Sequence, residues 1–354
     1  MILAPKQKQV ADMISTNNKT EGLEIAAILK AKIKPICKDQ QLRISRIEQH
    51  DPITLEAKPE WLASRLIDVD FTYNQQAYHA KLKRITGSVV GSIFGVNKYC
   101  SPTQALKDFL WPSFTGNAAT FYGNKMEDTC QQMFLETMYE EMIDSDHHDL
   151  YGTLRDVRIE NTGLIIDLQN PMFGMSPDGV LIKEYVNFYS GETTELRSLS
   201  EYKCPYSKRT LKDIVQKRKN IYPVQPVAKT DLLLPVPSYY YSQVQFGLHV
   251  LGCNDFINTE DAYFVVYVPN QQPTLEFLSQ NTSTNFEQTS KLYSSMSGSL
   301  QVTKIDRNQA YIDQMLSNVT EWYNNEYLPS AAFKAIGTLK HNELSMTNLI
   351  EFFF

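Results

Sequence analysis

The chain has 354 residues, 42% of them hydrophobic and 21% charged, with a formal net charge of −6. That length can bury a large core in one domain or two, and the composition is ordinary for a soluble globular protein. The acidic balance argues against a passive nucleic-acid coat protein. No apolar run approaches the roughly 18 residues of a membrane span, and the chain turns polar after Met1–Ala4, without the apolar region of a secretory signal, so an intracellular protein is expected.

The five cysteines (Cys37, Cys100, Cys130, Cys204, Cys253) are scattered and never form a C-x-x-C pair, which argues against a disulfide framework and a structural zinc site. The adjacent pair His147-His148 lies in an acidic stretch and reads as a solvated turn rather than a ligand pair.

In chain order, "EGLEIAAILKAKIK" reads as a helix and "PEWLASRLIDV" as a short one, so residues 1–78 form a mostly helical extension. In "KLKRITGSVVGSIFGVNKY", Gly87, Gly91 and Gly95 recur at helical spacing, a face that admits a neighbouring backbone or a phosphate. "SPTQALKDFLW" carries a Ser-Pro helix start. "GNKMEDTCQQMFLETMYEEM" follows as a helix with Met126, Cys130, Met133, Phe134 and Thr137 along one stripe. The pattern then changes to strands on either side of the turn-like pair Gly191-Glu192. Next come a helix, "PSYYYSQVQFGLHVLG", and a buried strand, "DAYFVVYVPN". Residues 279–299 are rich in Ser, Thr and Asn and read as a polar surface loop, and "NQAYIDQMLSNVTEWYNNEYL" as a last amphipathic helix. A mixed sheet with helices on its faces is the simplest architecture.

The chemistry gathers around one hairpin. If Ser190 and Thr193 flank a two-residue turn, Asp178 lies opposite Pro205. Side chains alternate along a strand, so Asp178, Glu201 and Lys203 then share one sheet face, and a one-residue slip would undo the arrangement. Two neighbouring carboxylates repel unless a cation stands between them. Oxygen ligands without His or Cys suit Mg²⁺ or Mn²⁺, and an adjacent lysine can orient water or stabilise charge on phosphorus. A lone Glu-x-Lys triplet also suits a surface hairpin with a cross-strand salt bridge; the surrounding motifs set this one apart. From Lys203 to Lys219 the chain carries Lys203, Lys208, Arg209, Lys212, Lys217, Arg218 and Lys219 against the single anion Asp213. Such a stripe reads first as a solvated face, and otherwise as a grip on a polyanion with Lys208 and Arg209 as the candidate contacts.

"MSPDGVL" followed by "EYKCP" resembles the paired motifs of the PD-(D/E)XK nucleases, in the branch containing phage lambda exonuclease and YqaJ-type viral recombinases. "ITGSVVGSIFG", "FYGNKMEDTCQQMF", and "YYSQVQFGLHVLG" with "AYFVVYVP" resemble further motifs of that branch, in the same order, across residues 79–330. Residues 331–354 form a C-terminal tail. The resemblance implies a restriction-endonuclease-like α/β core, and it implies that Asp178, Glu201 and the Tyr202 carbonyl bind Mg²⁺, with Mn²⁺ able to substitute. By the same resemblance Lys203 is the catalytic lysine, Glu127 holds a second metal or its water, and Gln243 lies at the active centre. Ser88 and Ser176 match serines that contact a 5′-terminal phosphate. The branch has an arginine seven residues before the first of these serines; this chain has Lys81 there and Arg84 nearby, and lysine lacks the bidentate fork.

The implied activity is 5′-to-3′ digestion of duplex DNA from an end, in recombination or in phage or viral genome processing. A single-strand annealing partner, a toroidal homotrimer and, for a viral protein, a host cytoplasmic or nuclear location are implied with it. The alternatives are an endonuclease, an RNA-degrading relative of the herpesvirus alkaline nucleases, or a DNA-binding module without catalysis.

Overall fold

The computed structural model describes residues 20–51, 56–112, 116–144, 151–206, 225–226, 236, 238–269 and 298–337. Lys208, Arg209, the pair His147-His148 and most of the polar segment 279–299 lie outside the described residues.

The centre is a six-stranded mixed sheet. Its strands are β4 (Thr153–Glu160), β7 (Gly179–Val186), β8 (Thr193–Lys203), β9 (Gln225–Pro226), β10 (Asp261–Pro269) and β11 (Gly298–Asp306). They lie in the order β4-β7-β8-β10-β11-β9. Strand β8 pairs in parallel with β10, and the other pairs are antiparallel. A parallel pair needs a crossover between its strands. Here the stretch between β8 and β10 contains helix α7 (Ser238–Gly252). The α/β architecture expected from the strand and helix patterns is therefore the one the structure shows.

Each face of the sheet is covered by one helix. On one side Val244, Phe246, Leu248 and Leu251 of α7 share a core with Val180, Ile182, Leu199, Phe264 and Val266. On the other, helix α6 (Ala118–Asp144) buries Tyr122, Met126, Cys130, Phe134 and Met138 against Val157, Leu181, Tyr202 and Val265. The alternation of strand residues between these two cores is the period-2 rule expressed in packing.

Helix α4 (Gly87–Ile93) lies against α7. A Cβ on Gly91 would meet the Tyr239 Cα at 2.9 Å, and one on Gly87 would meet Met175 Sδ at 2.5 Å and Gln243 Cγ at 3.1 Å. Those two glycines therefore permit close approach, as expected. Gly95 lies beyond the helix end with φ +81, so its role is the left-handed turn rather than the packing face.

The N-terminal segment corrects the reading of its sequence. A helix over 20–32 (α1), α2 (Lys38–Ser45) and α3 (Pro59–Ser64) are present, but "RLIDVDFTYNQQAYHAKLK" forms a hairpin, β1 (Leu66–Tyr73) with β2 (Gln76–Lys83). Alternation of Ile67, Val69 and Phe71 with Asp68 and Asp70 carries that signal, and the preceding "PEWLAS" helix masks it. The expected boundary at residue 78 falls inside β2. A small sheet of β3 (Ile85–Thr86), β5 (Ile165–Ile166) and β6 (Phe173–Met175) completes the set, with α5 (Pro102–Leu110), α8 (Gln309–Trp322) and α9 (Leu328–Ala335).

The N-terminal segment is bound tightly to the core. Gln41 donates to the Leu164 carbonyl and accepts from the Ile166 amide, at 3.2 and 2.8 Å. A Cβ on Gly163 would lie 2.2 Å from the Ile47 carbonyl oxygen. Gly163→Ala is thus expected to destabilise by about 1–3 kcal/mol in urea unfolding, through backbone overpacking. Gly123→Ala, whose added Cβ meets nothing within 4 Å inside α6, should be neutral or mildly stabilising.

Candidate active site

Strands β7 and β8 are joined by a six-residue loop, Asn187–Glu192, rather than a two-residue turn, because the ladder closes at Val186 opposite Thr193. Gly179 therefore pairs with Ser200, not with Cys204, a displacement of four positions. An even displacement leaves every side chain on its expected face. Asp178 and Glu201 still converge, more directly than expected, because the ladder ends one pair short of them. The Tyr202 amide donates to Asp178 Oδ2 at 2.9 Å, and that bond fixes the aspartate across the strand gap.

Lys203 reaches into the same place. Its Nζ donates to the Tyr202 carbonyl at 2.9 Å and to Asp178 Oδ2 at 3.5 Å, and it is paired with Glu201 Oε1. Gln243 of α7 donates its amide to that same Oε1. Glu201 is completely buried, and its other oxygen, Oε2, has no hydrogen-bond partner. One ammonium thus touches the three groups, Asp178, Glu201 and the Tyr202 carbonyl, that were read as metal ligands.

The electrostatics follow from this crowding. Burial, and then the charge of Asp178, push the Glu201 carboxyl up to about 8. Burial followed by Asp178 likewise raises Glu127 well above the usual carboxylate range. For Lys203, burial favours the neutral amine, but Asp178 and Glu201 outweigh it and hold its pKa well above the ordinary value. The ring of Tyr240 lies 5.2 Å from the ammonium and adds its π face. Its place over the lysine arises from the first turn of α7 and is not visible in spacing.

Glu127 arrives from the opposite layer, on α6, and lines a cleft of about 590 Å³ with Asp178, Asp128, Asn124, Gln49 and His50. Burial lowers the pKa of His50, partly offset by Asp178. Gln245, the second glutamine of its motif, serves the scaffold instead. Its amide donates to the Asp306 carbonyl and its side-chain oxygen accepts from the Asn308 amide, both at 2.8 Å.

Among the described residues, no three His, Cys, Asp or Glu side chains form a group that could hold a metal ion by themselves. The fit to a hard cation rests instead on Asp178, the orphaned buried Oε2 of Glu201 and the Tyr202 carbonyl, all oxygens.

The phosphate candidates separate. Ser88 is exposed on α4, and its hydroxyl lies 3.3 Å from the Thr86 hydroxyl. Ser176 accepts from Trp61 Nε1 at 3.0 Å. Lys81 stands on the exposed edge of β2 opposite Asp68. Arg84 is corrected: it is buried, its Nε donates to the Ser64 carbonyl at 3.1 Å, and its Nη1 donates to the Pro171 carbonyl. Its guanidinium is thus used to bind backbone, and burial lowers its pKa to about 10.

The cation that meets the Thr86 hydroxyl, itself 3.3 Å from that of Ser88, is one the sequence reading missed. Arg65 donates from Nη2 to the Thr86 hydroxyl at 3.0 Å and lies 4.7 Å over the Trp61 ring. Burial lowers its pKa. The whole β1–β2 hairpin separates it from Arg84 in sequence, so spacing alone gives no sign of the contact.

Residues 78–254 match the YqaJ-like viral recombinase domain, and the chain belongs to that family. No curated protein matches it significantly. A solved structure, a phage related exonuclease from Haemophilus somnus 129PT, is similar at 14% identity over 70% of this chain and 94% of that one, with a TM-score of 0.36. That likeness is too slight to carry an argument.

The raised Glu201 carboxyl has a measurable consequence. Between its ordinary pKa of 4.5 and its folded value of about 8, the folded state binds a proton that the unfolded chain has lost. Stability without metal should therefore fall as pH rises through that window, and Glu201→Gln should flatten the fall. Urea denaturation of chelator-treated protein at a series of pH values measures this, and a rising curve would contradict the assignment.

Proposed function

We propose that this chain is a divalent-metal-dependent deoxyribonuclease that degrades duplex DNA from an end, in the 5′-to-3′ direction, during recombination or genome processing. The observation that carries the reading is the meeting of Asp178, Glu201, the Tyr202 carbonyl and Lys203 at one point. Such a site has oxygens for a hard cation and an ammonium for the reacting phosphate.

Asp178, Glu201 and the Tyr202 carbonyl would hold the ion, with Glu127 supporting a second ion or its water. When bound, Mg²⁺ supplies charge neutralisation for the carboxylates and the phosphate and acidifies nearby water. The chain's own groups do the positioning. Lys203 stays protonated near neutral pH, so its work in that state is to orient an attacking water by hydrogen bonding and to offset charge growing on the phosphate oxygens. Gln243, bonded to Glu201 Oε1, leaves Oε2 as the free oxygen. Tyr240 limits the directions the ammonium can take.

End recognition would fall to Ser88, Ser176 and Arg65. Arg65 supplies the fork that Lys81 cannot, since a guanidinium meets a phosphate in two parallel hydrogen bonds. An annealing protein as partner and a ring-shaped trimer enclosing the duplex complete the reading, and the solution mass tests the trimer.

With end-labelled duplex and Mg²⁺, Glu201→Ala and Lys203→Ala should each lower the rate by roughly 10²–10⁴-fold. Undiminished rates in both would sink the site. Closed circular DNA should resist, whereas its cleavage would favour the endonuclease, and digestion of folded RNA would favour the alkaline-nuclease reading. Arg65→Ala should cost at least about tenfold on a 5′-phosphorylated end and little on a 5′-hydroxyl end. Equal losses on both ends would remove Arg65 from end recognition.

A further inference from the structure

Asp178 is carried by a segment that the sheet does not hold. Residues Ser176 to Asp178 lie between β6 and β7, outside both strands, and Pro177 has no amide hydrogen to donate. On the sheet side the aspartate has the Tyr202 amide. On the other side the segment is held by two side chains of the N-terminal region. Trp61 Nε1 donates to the Ser176 hydroxyl at 3.0 Å, and Gln49 Nε2 donates to the Pro177 carbonyl at 3.1 Å. The same Gln49 nitrogen donates to the Thr162 carbonyl at 3.0 Å. One amide thereby ties together the stretch after β4 and the peptide immediately before Asp178.

The neighbours make this clamp rigid. Gln49 belongs to an antiparallel pairing in which its carbonyl accepts from the Lys58 amide at 3.0 Å and the Asp51 amide donates to the Glu56 carbonyl at 2.9 Å. His50, beside it, packs on Trp61 with ring centroids 5.7 Å apart. The Gly163 amide donates to the Ser45 carbonyl at 2.7 Å, so the two stretches are joined just before the clamp as well. Gln49, His50 and Trp61 all precede residue 78, where the family match begins.

We infer that Gln49 is a positioning residue for Asp178: its amide bridges the Thr162 and Pro177 carbonyls and so sets the aspartate oxygens where a divalent cation would meet them. Residues 45–51 are then a wall of the catalytic cleft rather than an appendage. This rests on the reading of Asp178 as a metal ligand. Removing a group hydrogen-bonded to a metal ligand typically changes metal affinity by about 10–100-fold, and Gln49 acts one residue further back, so the low end of that range is expected.

The test uses the full-length chain, Mn²⁺ as probe, isothermal titration calorimetry for binding and end-labelled duplex for rate. Gln49→Met keeps the length and removes the donors, and Gln49→Asn keeps the amide on a stem one methylene shorter. Gln49→Met should raise the Mn²⁺ dissociation constant about tenfold or more, and Gln49→Asn should fall between it and wild type. Saturating Mn²⁺ should restore the Gln49→Met rate to within about threefold of wild type, a recovery that general loosening of the fold would not show. Wild-type Mn²⁺ affinity in both variants, or a rate defect that saturating Mn²⁺ leaves in place, would overturn the role of Gln49. Absence of Mn²⁺ binding by the wild-type protein would instead sink the metal site itself, and the inference with it. If Gln49→Met fails to fold, the calorimetry of Gln49→Asn alone decides.

Discussion

The constraint on which the rest depends is the crowding of several carboxyl groups at one largely buried place. Glu201 is fully buried and Asp178 and Lys203 only partly exposed, so repulsion between acids is weakly screened there. Lys203 is the counter-charge, and its ammonium is bonded to both acids and to a backbone carbonyl. Buried charges of this kind add little net stability, but removing one partner leaves the others uncompensated. The site is therefore held at the cost of stability, and the surrounding elements are arranged to sustain that cost.

Three elements converge to do so. The β7–β8 ladder brings Asp178 to Glu201, α7 supplies Gln243 and Tyr240 from one face, and α6 supplies Glu127 from the other. The small residue Gly87 lets α4 approach Gln243 closely. The N-terminal segment closes the remaining side with Gln49, His50, Trp61 and Arg65. A boundary drawn at residue 78 would divide a site that the structure makes in one piece.

Several of these relations were legible in the residues. Alternation alone placed Asp178, Glu201 and Lys203 on one face, and that survived a wrong turn because the ladder is displaced by an even number of residues. The apolar stripe of α6 and the glycine approach at Gly87 and Gly91 follow from helical period. Others were not legible. Arg84 and Arg65 are both arginines near the motif serine, and only burial shows that the first binds backbone while the second faces the Thr86 hydroxyl. Gln245 and Gln243 share a motif, yet one joins a strand end to a helix start and the other touches Glu201.

The sequence by itself determined the class of fold, the family and the identity of the acid–acid–lysine set, because these depend on residue type, order and the parity of strand spacing. Tertiary structure alone decided which arginine meets the Thr86 hydroxyl, which oxygen of Glu201 is left free, and that Gln49 binds the peptide before Asp178. The physical reason is one of range. Periodicity reports only the face on which a residue lies, whereas a hydrogen bond between residues 128 positions apart requires the whole chain between them to be folded.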